Sequence, residues 1–322
     1  MRRAGSSASV PIPATTRIRS GVLRLGTRGS PLARAQAEWV RRALTRVHPG
    51  LDVELVFIRT SGDRAQRGPL PAADLKGLFV KEIEEALFSH EIHAGVHSMK
   101  DMPARLPAGL AIGAVPARAP AHDVLIGGGS GGLAGLARGT RIGTSSVRRR
   151  AQILARRPDV VVVPLRGNVD TRLARWREGA VDAVVLAAAG LARLGIEEPA
   201  ARPLAHDELL PPVGQGALAL ECRADDRDTR AVLAAIADAD AATAVAAERA
   251  FLAALGGDCN TPVAAHATVA GDAVTLRALV SDPDGRRSLA DTAAGRRADA
   301  ETLGRRVAER LLAAGAAELL GR

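Results

Sequence analysis

The chain has 322 residues, 47% hydrophobic and 25% charged, an ordinary globular mixture long enough for two or three domains with separate cores. Forty-four basic residues against 35 acidic ones leave a formal charge of +9, yet the acids are interspersed and no long basic run occurs. With four Phe, two Trp and no Tyr, few side chains can stack on bases, which argues against a nucleic-acid partner. No apolar run approaches the roughly 20 residues of a membrane-spanning helix.

Two cysteines, Cys222 and Cys259, lie far apart, which argues against a disulfide scaffold and for a reducing, cytoplasmic compartment. The three lysines, Lys76, Lys81 and Lys100, fall within one 25-residue stretch of an arginine-rich chain. Lys81 fits a helix surface; the others suggest positions that need a compact ammonium. Residues 1–21 are rich in Ser, Arg and Pro, contain no acid and lack the apolar core of a secretory signal. A disordered tail or a misplaced start is expected there rather than a transit peptide.

In chain order, Val22 to Gly26 reads as a strand, followed by Thr27-Arg28-Gly29-Ser30-Pro31 and a helix. Ser30 is its N-cap, Pro31 lies in the first turn, and Leu32, Trp39, Val40, Ala43, Leu44 and Val47 form its apolar face. Asp52 to Arg59 is an expected strand and Phe79 to Ser89 an expected helix. A small-residue strand, Ala94 to His97, stops at Ser98-Met99-Lys100-Asp101-Met102-Pro103. Leu110 to Val115 and Val124 to Gly127 look extended, and the glycine-rich stretch 127–132 lacks the phosphate-loop pattern and reads as a connector.

A second strand, turn and helix unit, Arg141 to Gln152, echoes Gly26 to Gln36. Strands Val160 to Leu165 and Ala183 to Ala187 alternate with a helix over Val169 to Glu178, the rhythm of a parallel sheet. Leu218 to Cys222 is a further strand, placed after Pro211-Pro212-Val213-Gly214-Gln215-Gly216. Beyond Ala224 come two helices, the Gly256-Gly257-Asp258-Cys259 loop, three strands and a terminal helix from Ala298 to Ala314, a separate small α+β domain.

Chemistry concentrates where strands end. Asp101 beside Lys100 is a carboxylate and ammonium pair at a strand terminus, where open α/β sheets place their ligands. Both echoing units lead a strand into a helix start bearing hydroxyls and arginines: Arg28 and Ser30 in one, Ser145, Ser146, Arg148 and Arg149 in the other. Arg166 and Arg172 occupy a third such corner and Arg193 follows the next strand. Guanidinium forks at helix N-termini suit a polycarboxylate or phosphate ligand. Any one of these arginines is equally well read as a solvated helix-start residue. Cys259, on a tight turn, is either an available nucleophile or an inert loop thiol, and Cys222 belongs in a core. His90, His93 and His97 have no cysteine near them, and Gly95 breaks their helical register, so no metal is expected. Two rival classes stay open: a non-catalytic two-lobed anion binder, which would need the arginines but neither Asp101 nor Cys259, and a nucleic-acid binder.

Six segments in order closely resemble the porphobilinogen deaminase, or hydroxymethylbilane synthase, family. They are Thr27-Arg28-Gly29-Ser30-Pro31-Leu32-Ala33, Lys76-Gly77-Leu78-Phe79-Val80-Lys81-Glu82, Val96 to Pro103, Gly143 to Arg149, Leu165 to Arg172 and Val213-Gly214-Gln215-Gly216-Ala217. The resemblance implies an α/β fold of two similar doubly wound domains of periplasmic-binding-protein type plus a small C-terminal α+β domain. It places domain 1 at 22–116 with 217–234, domain 2 at 117–210 and domain 3 at 239–322.

It further implies a transferase of porphyrin and haem biosynthesis that joins four porphobilinogen molecules head to tail, releasing ammonia. A dipyrromethane cofactor, made from substrate, would be bound by thioether to Cys259. Asp101 would stabilise the cationic azafulvene and move protons. Lys100, Ser98, Ser146, Arg148 and Arg149 would hold the cofactor with Asp101. Arg28, Ser30, Lys76, Phe79, Ser145, Arg166, Arg172 and Arg193 would meet the substrate chain. A monomer without metal, nucleic-acid or membrane partner is implied. The chain departs from the family in having Asp74-Leu75-Lys76-Gly77 where Gly-Gly-Lys-Gly is frequent, Ala72 where some members carry lysine, and Asp258 where glycine is common.

Overall fold

The computed structural model describes residues 21–61, 80–129, 131–257 and 261–321. Expectations for the N-terminal tail, for Lys76, Phe79 and Cys259, and for the departures at Ala72, Asp74, Leu75 and Asp258 lie outside the described residues.

Strand β1 (Val22–Arg28) enters helix α1 (Pro31–Val47) through Ser30, whose hydroxyl accepts the Ala33 amide at 3.3 Å. Strand β2 (Asp52–Ile58), helix α2 (Lys81–Phe88), strand β3 (Ala94–Ser98) and strand β4 (Leu110–Ala114) complete the first stretch. The chain then crosses to a second lobe of β5 (Asp123–Ile126), β6 (Arg141–Gly143), α3 (Val147–Arg156), β7 (Val161–Val163), α4 (Val169–Arg177), β8 (Ala183–Ala187), α5 (Ala188–Leu194) and β9 (Ala201–Pro203). It returns as β10 (Leu218–Arg223) and α6 (Arg227–Ala234). Helix α7 (Ala239–Leu255), β11 (Val263–Ala270), β12 (Ala273–Ser281), β13 (Ser288–Arg296), α8 (Ala300–Ala313) and α9 (Ala316–Leu319) follow.

The two large sheets have orders β2-β1-β3-β10-β4 and β7-β6-β8-β5-β9. Counted from its own first βα unit, each reads second, first, third, visitor, fourth. The visitor is in both cases the first strand after a crossover. It runs antiparallel to its central neighbour, β10 to β3 and β5 to β8. The sheets are therefore mixed rather than parallel throughout, because a strand arriving directly from the other lobe points the opposite way. This is a two-lobed α/β architecture of periplasmic-binding-protein type, with a third, antiparallel sheet β11-β12-β13 packed under α7 and α8.

The echo between Gly26–Gln36 and Gly143–Gln152 is structural: Ser146 caps α3 through the Arg149 amide at 3.4 Å, as Ser30 caps α1. One detail of α1 differs from expectation. Its buried face is Ala33, Gln36, Ala37, Val40 and Leu44, at three- and four-residue spacing, whereas Trp39 and Val47 are 41% and 40% exposed. Trp39 lies one residue off that stripe, so its hydrophobicity does not turn it inward.

Where the chain crosses between lobes, one carboxylate gathers the strands. Glu248 of α7, fully buried, takes both ends of the Arg118 guanidinium at 2.7 and 3.1 Å. It also accepts the amides of Gly214 at 2.7 Å and Ala267 at 2.8 Å. Arg118 precedes β5 and Gly214 precedes β10, so both crossovers are tied to the C-terminal domain. They touch at Gly216, which has φ +85° and whose carbonyl accepts the Ala119 amide at 3.1 Å. A Cβ at Gly216 would run into the Ala119 carbonyl oxygen. Gly216→Ala is expected to destabilise the protein by at least about 2 kcal/mol through strain and backbone displacement, read as a lower urea midpoint.

Candidate active site

Between the lobes lies a cavity of about 500 Å³, lined from the ends of β1, β3, β6 and β8 and from the second crossover. Three helix starts open onto it, at Ser30 of α1, Ser146 of α3 and Asn168 of α4. Their unpaired amides and dipoles favour negative charge.

At the back, Asp123 is fully buried at the start of β5. Arg149 reaches its two oxygens at 2.7 and 3.2 Å, and Arg148 reaches one at 2.6 Å. Gln215 donates to the same carboxylate at 2.8 Å and to the Ala121 carbonyl at 2.7 Å. Burial by itself would raise the Asp123 pKa, but the charges and hydrogen bonds of Arg149 and Arg148 outweigh it and hold the group well below the usual carboxylate range. Two guanidiniums thus share one carboxylate, leaving a net positive charge at the cavity wall.

Other cations add to the excess. Lys100 donates to Gln215 Oε1 at 3.3 Å; burial pushes its ammonium down to about 8, against the pull of Asp101 and with repulsion from Arg149. Arg172 donates to the Gly167 carbonyl at 2.8 Å and is lowered to about 10 by burial and by Arg149, with Asp101 opposing. Arg193 donates to the Gly216 carbonyl at 2.7 Å and is likewise lowered to about 10 by burial. Asp101 ends a short 3-10 turn, Met99–Asp101, that continues β3. Among the described residues none hydrogen-bonds its carboxylate, which leaves it free to face a ligand.

Of the residues singled out from the sequence, Arg28, Ser30, Ser98, Lys100, Asp101, Ser145, Ser146, Arg148, Arg149, Arg172 and Arg193 all line this cavity. Arg166 is exposed and is not among the lining residues, although its neighbour Gly167 is. Ser98 accepts a hydrogen bond from Gln36 at 2.9 Å, tying α1 to the end of β3.

Asp123 and Gln215, which engage the cavity's Arg148, Arg149 and Lys100, were not singled out as site residues from the sequence. A lone acid opening the apolar run Val124–Ile126 was the available signal for the first, and a glutamine between two glycines for the second. The histidines do unrelated work: His93 Nδ1 accepts the Arg24 amide at 2.9 Å, and His97 Nε2 lies 3.1 Å from Glu221. Among the described residues no His, Cys, Asp and Glu group fits a metal ion, and no helix is long and apolar enough to cross a membrane.

Fold and lining together define a two-lobed α/β protein with a cation-rich cleft into which the carboxylate-bearing turn at the end of β3 projects. Residues 23–231 match the family model described as porphobilinogen deaminase, dipyromethane cofactor binding domain, and residues 242–313 match that of its C-terminal domain. The porphobilinogen deaminase of Syntrophotalea carbinolica is 51% identical over 94% of this chain and 96% of its own. That of Acidithiobacillus ferrooxidans is 51% identical over 92% and 97%, and that of Rubrobacter xylanophilus 49% identical over 94% and 97%. The chain belongs to the porphobilinogen deaminase family.

Because the cleft without an anion holds Lys100 at about 8, an anion that prefers the charged ammonium must bind with proton uptake above that pH. Affinity for a small polycarboxylate should weaken as pH rises from 8 to 9.5 in the wild type. In Lys100→Arg that added weakening should be absent, because a guanidinium keeps its charge; titration calorimetry at several pH values makes the comparison.

Proposed function

We propose that this chain is a transferase that condenses four porphobilinogen molecules head to tail into hydroxymethylbilane, releasing one ammonia per addition, with Asp101 as its catalytic carboxylate. The observation that supports the role of Asp101 is its place at the end of the turn that continues β3, lining a cavity of cations while, among the described residues, none hydrogen-bonds its carboxylate. A receptor that merely held anions would be weakened by such a carboxylate.

The residues present fit a dipyrromethane. Its acetate and propionate groups need several cationic donors, and the cavity supplies them. Among the described residues the Nε of Arg148 is buried with no hydrogen-bond partner, and Lys100, Arg172 and Arg193 retain donors beyond the bonds described for them. Ser98, Lys100, Ser146, Arg148 and Arg149 are assigned to holding this group, with Cys259 as its covalent anchor. When bound, it supplies the free pyrrole carbon to which substrate is joined.

The chain's own residues then divide the work. Arg28, Ser30, Ser145, Arg172 and Arg193 receive the carboxylates of substrate and growing chain, matching charge with forked donors. Arg166 reaches them only from the cavity's rim, and Lys76 and Phe79 are assigned to the same task by family position. Asp101 holds pyrrole N–H groups and stabilises the positive charge that spreads onto the substrate ring as the amine leaves, a preorganised counter-charge in a partly desolvated site. It also moves the proton that the departing amine needs.

The proposed domains are 22–116 with 217–234, 117–210 and 239–322, which agrees with separate apolar clusters around Leu23, Leu25 and Leu220, around Leu125 and Ile142, and around Phe251 and Leu276. The scarcity of aromatics and the interspersed acids weigh against a nucleic-acid partner, and a cytoplasmic monomer is proposed by family resemblance.

Incubation with porphobilinogen should yield a linear tetrapyrrole. Asp101→Asn should fold and keep its covalent pyrroles while kcat drops about 10²–10³-fold, since shape is conserved and charge is not; near-normal turnover would refute the role. Intact mass should show two pyrrole units that disappear in Cys259→Ser. A bare wild-type mass would overturn the covalent assignment.

A further inference from the structure

Among the described residues none hydrogen-bonds the Asp101 carboxylate, so its position is inherited from the turn that carries it. That turn is fixed from behind. The Met99 amide donates to the Ala217 carbonyl at 3.0 Å, and the Met102 amide to the Met99 carbonyl at 3.2 Å. Met99 and Met102 are buried against Ala241 and Val245 of α7. On the same helix, Arg249 extends one guanidinium nitrogen to the Ala104 carbonyl at 3.1 Å and another to the Met99 sulfur at 3.9 Å. Its two contacts bracket Asp101 on both sides in the chain.

A partly buried guanidinium needs a counter-charge, and Glu221 of β10 provides one: burial lowers the Arg249 pKa while Glu221 pulls it back. Glu221 is fully buried and His97, 5% exposed, stands 3.1 Å from its Oε2. Gly95 clears the space for that imidazole, since a Cβ there would stand 2.7 Å from His97 Nε2. Glu84 of α2 is the other acid in this group; burial raises its pKa and Glu221 raises it further. These groups lie behind the strand that delivers Lys100 and Asp101, and neither Arg249, Glu221 nor His97 lines the cleft.

We propose that Arg249 is a positioning residue that fixes the Met99–Ala104 turn and thereby aims the Asp101 carboxylate. The inference rests on the catalytic reading of Asp101. It predicts a loss that passes through Asp101, because both side-chain contacts of Arg249 among the described residues go to that turn.

The test is a double-mutant cycle on full-length protein carrying its covalent cofactor. Arg249→Met, similar in length and uncharged, should keep the cofactor mass and leave KM for porphobilinogen within about twofold, while kcat falls roughly tenfold. In the Asp101→Asn background the same substitution should cost no further turnover, since the group it aims has lost its charge. Arg249→Lys should recover part of the loss. Should Arg249→Met fail to fold, Arg249→Gln, which removes the charge and keeps an amide donor, carries the same cycle with a smaller loss. An equal loss in both backgrounds, or a raised KM with unchanged kcat, would overturn the proposal. A large loss in Asp101→Asn with none in Arg249→Met would sink it alone, whereas normal turnover in Asp101→Asn would sink the reading beneath it as well.

Discussion

Two arginines on one buried aspartate set the character of this cleft. Asp123 is sealed from solvent and takes hydrogen bonds from Arg148, Arg149 and Gln215, so removing it would strand two desolvated guanidiniums at a cost of about 3–5 kcal/mol. The aspartate neutralises only part of the charge it organises. What remains, with Lys100, Arg172 and Arg193 all held below their ordinary pKa values, is a wall of cations in a site too dry to be comfortable with them. A ligand bearing several carboxylates relieves that strain, and the arrangement is a reason for the cleft to prefer a chain of acidic pyrroles over a singly charged molecule.

The same aspartate links chemistry to architecture. Asp123 opens the strand that has just crossed from the first lobe, and Gln215 sits on the crossover back. Lys100, from the first lobe, reaches Gln215. Groups from both lobes therefore converge on the crossing chains, and the neighbouring Glu248 and Arg249 of α7 extend the arrangement into the C-terminal domain, one holding the crossovers and the other the Asp101 turn.

Much of this was legible before any coordinates. Strand and helix periodicity, serine caps followed by a proline or an arginine pair, and the repeated βα unit located the cavity-forming corners, since capping chemistry is local and reads directly from neighbouring residues. The long-range pairings were not legible. Nothing near Asp123 announces Arg148 and Arg149, and nothing in the residues of β5 and β10 announces that they run antiparallel to β8 and β3, because strand direction is decided by a crossover rather than by residue type. Trp39 misled for a related reason: size and apolarity suggested burial, while helical phase turned it to solvent. Motif position groups Arg166 with the other arginines, and its side chain is exposed and not among those lining the cavity.

The exchange of strands between lobes governs how the chain can be assembled during synthesis. Strand β4 neighbours only β10 in its sheet, and β3 has β10 on its far side. Until residue 223 has left the ribosome, the first lobe carries an open central edge and a detached strand, while every strand of the second lobe is already available. The lobe made later can thus close first, and the nascent first lobe must wait through more than a hundred residues of elongation, roughly 5–20 s at ordinary rates of synthesis, before its own core is complete.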